Sequence, residues 1–175
     1  NGCLSEKSNA FPDSPLQTVT FNGPINNIQS SAFLNQQVLT SFTYNSINII
    51  GGNSFQGCSV LASFTWPSNI NAIESNTFES CAALTTFDLH SNITLIGNEA
   101  FKNCTNLAVI TSSGTNNANT NLNFGTDVFN GSGLETITLV HNINDSGNSI
   151  MVHSDIFNGV SSLKSVTLNG AVWIS

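Results

Sequence analysis

Phenylalanine returns at Phe11, Phe33, Phe55, Phe78, Phe101, Phe129 and Phe157, at intervals of 22, 22, 23, 23, 28 and 28 residues. No other feature constrains the fold as tightly, because a fixed period of roughly 20–50 residues means that one supersecondary unit is written repeatedly. A leucine follows each phenylalanine, at Leu16, Leu39, Leu61, Leu84, Leu107, Leu134 and Leu163. Three and five residues later come Val19/Phe21, Phe42/Tyr44, Phe64/Trp66, Phe87/Leu89, Ile110/Ser112, Ile137/Leu139 and Val166/Leu168. The early units close with Ile25/Ile28, Ile47/Ile50, Ile70/Ile73 and Ile93/Ile96.

Each part of the unit predicts an element. The leucine and the two apolar positions after it alternate with polar residues, as in a short strand with one buried face. Thr20, Thr43, Thr65, Asp88, Thr111, Thr138 and Thr167 stand between those positions and point outward. Phe78, Cys81 and Leu84 are spaced by three, which predicts a helical or 3-10 turn with one apolar edge. Asn9, Ser31, Asn53, Asn76, Glu99, Asp127 and Asp155 lie two residues before each phenylalanine, and all but Glu99 are good helix N-caps. The isoleucine pair predicts a second short strand or extended edge on the opposite wall. A unit this small cannot bury its apolar side alone, so the units must stack.

The pattern Ile70-x-x-Ile73-x-x-x-x-Phe78-x-x-Cys81-x-x-Leu84-x-x-Phe87 resembles the BspA-like leucine-rich repeats of bacterial and protist surface proteins. Ala32-Phe33, Ala100-Phe101, Trp66-Pro67 and the Phe-x-x-Cys triplets carry the likeness, which weakens where most units lack the proline after the strand. It implies a repeat solenoid of the α/β leucine-rich-repeat type, about seven coils in one domain over residues 1–175. It also implies a non-enzymatic surface or secreted module that adheres to protein or matrix.

Composition narrows the partners. The chain has three lysines, no arginine, ten acids and a formal charge of −7. So few cations cannot neutralise a run of phosphates, which argues against nucleic acid. No apolar run approaches the ~20 residues of a membrane span, so no membrane insertion is expected. The expected partner is a protein or a glycan, or a second copy of the chain.

Cys58, Cys81 and Cys104 share one repeat position. Stacking would set them in a column with parallel Cβ vectors, predicting reduced packing cysteines rather than disulfides or a metal site. His90, His141 and His153 share no phase, so no metal or catalytic set is assembled and no cofactor is expected. Sequons fall at Asn92, Asn103, Asn130 and Asn144, with Asn92, Asn130 and Asn144 the candidates for glycosylation.

Two stretches lengthen the repeat, 112–126 and 141–150, and are expected to form loops on one face, either solvated polar loops without a partner or part of the binding face. The outward row of Ser and Thr offers that face, and a flat Ser/Thr ladder also admits ice binding as a minor alternative. The two ends match in phase: Cys3 and Leu4 occupy the part of the unit that Val172, Trp173 and Ile174 occupy. Head-to-tail stacking of such ends would not close, so a structural filament or coat subunit is the alternative to an adhesive module.

Overall fold

A computed structural model describes residues 10–11, 14–90, 92–113, 121–140, 149–153, 155–169 and 172–174. Its strands are β1 Thr18–Ile25, β2 Ser41–Ile47, β3 Ala72–Ile73, β4 Thr86–His90, β5 Leu95–Ile96 and β6 Val109–Ser113. There follow β7 Leu122–Phe124, β8 Thr136–Val140, β9 Ile150–Val152, β10 Ser165–Asn169 and β11 Val172–Ile174. All pair in parallel, and always with the strand one coil away. The result is a solenoid with two strand walls and a turn wall.

The first wall holds β1–β2 and, separately, the sheet β4-β6-β8-β10. Alternation works as the pattern requires. Phe42, Phe87, Leu89, Ile110, Ile137 and Leu139 are buried, while their neighbours face outward. The second wall is the sheet β3-β5-β7-β9-β11, which ends at β3; in the first coils a separate, isolated bridge pairs Ile28 with Ile50. Ile25, Ile28, Ile47, Ile50, Ile70, Ile73, Ile93 and Ile96 all point into the core, as the isoleucine pairs predict. Gly97 shows how closely consecutive coils approach there, since a Cβ on it would lie 2.5 Å from the Ser75 nitrogen.

The turn wall corrects the N-cap reading at five positions; Asn9 lies outside the described residues. Ser31, Asn53, Asn76, Glu99 and Asp127 are left-handed, with φ between 52° and 60°, whereas an N-cap has extended backbone. From Phe33 on, a second left-handed residue follows two residues after each phenylalanine: Asn35, Gly57, Ser80, Asn103, Gly131 and Gly159. Asn, Asp and Gly are the residues that tolerate this region, so the polar column is selected by backbone geometry rather than by capping.

Hydrogen bonds explain why the turn does not become a helix. Phe55 and Gly57 donate their N–H to Thr77 and Glu79 of the next coil, at 3.0 and 2.8 Å. Gln56 and Cys58 between and beyond them donate back to Asn53 and Phe55, at 3.2 and 3.1 Å. Alternate amides thus serve the neighbouring coil and their own. The turn wall is a third inter-coil ladder.

Inside it the phenylalanines form one stack. From Phe33 to Phe129 successive centroids lie 5.4, 5.7, 5.6 and 5.8 Å apart, with planes within 15° of parallel. Phe11 and Phe157 continue it at 5.5 and 5.9 Å. Beside the stack Cys58, Cys81 and Cys104 are free and buried. Each thiol donates to the carbonyl of a phenylalanine in the coil before it, Phe33, Phe55 or Phe78, at 3.0–3.2 Å.

The long units also depart from expectation. Residues 112–126 include the end of β6 and all of β7, whose Leu122 and Phe124 are buried. Ile150, within 141–150, opens β9 and is fully buried. The second wall is therefore maintained through both units, because each coil must cover the face its neighbour leaves open. Residues 114–120 and 141–148 lie outside the described residues.

Candidate interaction face

The outward row of the first wall is brought together largely as its spacing predicts. Thr20 is in register with Thr43, and their hydroxyls are 3.0 Å apart. Asp88, Thr111, Thr138 and Thr167 are in register across the four-stranded sheet. Thr111 donates its hydroxyl to the Asp88 carboxylate at 3.0 Å. A second row runs Thr86, Val109, Thr136 and Ser165. All but Thr138, Val109 and Thr136 are exposed, and those three are half-buried.

Thr65 departs from the pattern. The sequence predicts a strand from Leu61 to Trp66, yet residues 61–67 form none, and the wall divides there. Among the described residues no hydrogen bond engages the backbone N–H of Ser63, Phe64, Thr65 or Trp66. Side chains take the carbonyls instead. The Tyr44 hydroxyl donates to Thr65 O at 2.6 Å, and the His90 ring meets Pro67 O at 2.9 Å. Pro67 has no N–H to give a ladder. Trp66 is buried and is held by its indole N–H on Ile70 O at 3.1 Å.

The polarity of His90 follows from its two partners. Asn92 donates its backbone N–H to Nδ1 at 3.2 Å. Nδ1 is therefore the acceptor, and Nε2 carries the hydrogen donated to Pro67.

The unpaired coil leaves a shallow depression on each side. One, of about 380 Å³, is lined by Ser63, Thr65, Ser68, Thr86, Asp88 and His90 over Phe64 and Trp66. The other, of about 440 Å³, lies toward Tyr44, Ser46 and Asn69 and shares Thr65, Trp66 and Ser68 with the first.

The remaining candidates are scattered. Val172, Trp173 and Ile174 form β11, paired with β9, and Trp173 and Ile174 are 66% and 78% exposed. Cys3 and Leu4 lie outside the described residues, as does Asn144. Asn92 is exposed, with its amide on Ser68 O at 3.2 Å. Asn130 donates to Asp127 at 3.0 Å.

Sequence reasoning missed a polar ladder on the turn wall. Asn53, Gln56, Glu79, Asn76 and Glu99 are joined in series by side-chain hydrogen bonds of 2.6–3.2 Å. Lys102 pairs with Glu99 at 3.1 Å. Asp127 accepts from Asn130 and Asn158, which hold its carboxyl below the ordinary range. The signal was present, since these residues lie two before or one after each phenylalanine, but the first of the two columns was assigned to capping.

Comparison with known proteins agrees with this architecture. The BspA type leucine rich repeat region matches residues 4–46 and 39–154 in six copies, and the chain belongs to that family. No curated protein matches it. Among solved structures it is similar to a leucine rich repeat protein of T. pallidum, at 19% identity and a TM-score of 0.67, over 90% of this chain and 74% of that one. It is also similar to a leucine-rich repeat protein of Bacteroides ovatus, at 21% identity and a TM-score of 0.62. That likeness covers 93% of this chain and 47% of the Bacteroides protein, so the chain spans about half of its length.

Proposed function

We propose that the chain is a non-enzymatic module, displayed at a cell surface or secreted, that adheres to a protein or glycan partner through the outward face of its first strand wall. The observation that carries this reading is the presentation of hydroxyls in register, Thr20–Thr43 and Thr111–Thr138–Thr167, with the Asp88 carboxylate at the end of the second run. The columns beneath are committed to packing, and the cysteine thiols are buried in them. Membership of the BspA type repeats supports the surface location. Ice binding loses its support, because the hydroxyl ladder is broken into runs of two and four strands.

The test is attachment of the purified chain to immobilised matrix proteins and to cells. Thr43→Lys combined with Thr111→Lys places two charges on the face and is expected to reduce attachment on the order of tenfold or more. Asn123→Lys, on the second wall, should leave it unchanged. Equal attachment by both variants would refute the placement.

A further inference from the structure

We infer that the unpaired third coil is a binding site for a neutral carbohydrate. The inference rests on the reading of the first wall as the adhesive face and names a place and a ligand class on it.

Backbone polar groups in a sheet wall are normally consumed by the ladder. At Ser63–Trp66 the N–H groups are not, while Ser63 and Thr65 are exposed. Donors that the ladder leaves unused are groups that a ligand, directly or through water, can satisfy. Around them stand hydroxyls that donate and accept, on Ser63, Thr65, Ser68 and Thr86, and the Asp88 carboxylate, which accepts. The floor is apolar, formed by Phe64 and Trp66. Mixed donors and acceptors over an apolar floor match a sugar ring, which has hydroxyls at its rim and C–H groups on its face.

Charge excludes the anionic alternatives. Of the described lysines, Lys102 pairs with Glu99 on the turn wall and Lys164 with Glu135, and neither lines the depressions. Asp88 and the net charge of −7 repel sulfate, phosphate and sialate. Geometry disfavours an added peptide strand. Such a strand pairs with an open sheet edge, but the edges of β2 and β4 face the third coil itself. That coil stays packed in the stack, with Phe64 5.7 Å from Phe42 and 5.2 Å from Phe78.

The experiment presents the purified chain to an array of neutral glucose, mannose and N-acetylglucosamine oligomers beside sulfated and sialylated ones. The best neutral oligomer is then titrated against the variants. Signal is expected on neutral glycans. Asp88→Ala should weaken binding about tenfold, and Thr65→Lys should abolish it. Asn123→Lys, on the second wall, should stay within about twofold. Absence of neutral binding, signal confined to anionic glycans, or binding by Asp88→Ala and Thr65→Lys as strong as that of the native chain overturns the inference. Attachment to cells or matrix that free neutral oligosaccharide does not compete also overturns it, while leaving the adhesive face intact. Loss of all attachment overturns both.

Discussion

At the residue scale the three cysteines convert packing into a pH dependence. Burial pushes the thiols of Cys58 and Cys104 up to about 12, and that of Cys81 well above its ordinary value. In the unfolded chain they ionise near the ordinary 9.0. Their contribution to stability is therefore complete below about pH 9 and is lost as pH rises toward 12. Each thiol removes about 1.4 kcal/mol per pH unit within that window. Urea midpoints at about pH 8 and about pH 10.5 should fall much more steeply for the native chain than for a Cys58→Ala, Cys81→Ala, Cys104→Ala variant, and parallel slopes would refute the assignment. The cysteine column was legible in the sequence because three cysteines at two equal spacings mean one environment. The reason for Asn53, Asn76 and Asp127 was not, since the same residues suit an N-cap and a left-handed turn. Glu99, a poor cap that shares their conformation, was the clue.

At the scale of the element the phenylalanine stack dominates. Phe78 is fully buried between Phe55 and Phe101 and also meets Phe64, Trp66 and Phe87 at 5.2–5.9 Å. Phe78→Ala should cost about 3–5 kcal/mol in a denaturant melt, whereas a loss under about 1 kcal/mol would contradict the inward stack. The strands were legible wherever alternation met an ordinary partner. The third failed although Leu61, Phe64 and Trp66 keep the apolar pattern, because periodicity reports which side chains are buried, not whether the backbone pairs. Pro67, Tyr44 and His90 decide that. Of these only Pro67 lies within the segment, where Trp66-Pro67 also fits the family's motif.

The whole molecule was the most legible scale, since stacking is the one arrangement that buries the apolar side of seven such small units. The candidate face followed from it, but its division did not, because the partners that divide it, Tyr44 and His90, lie 21 and 23 residues from the carbonyls they take. A solenoid is held coil to coil, and its strength is a sum of nearest-neighbour terms. Among the described residues the third coil has no first-wall strand, and its second-wall strand β3 pairs only with β5, so the stack is two blocks sharing a weaker joint. Native-state hydrogen exchange should show the amides of β2 and of β4–β6 opening independently of one another, and a single common opening would refute this. For a protein read as an adhesin the consequence is mechanical. Tension along the stack would open the joint at coil three first, so the site inferred there would lie at the point that yields under load.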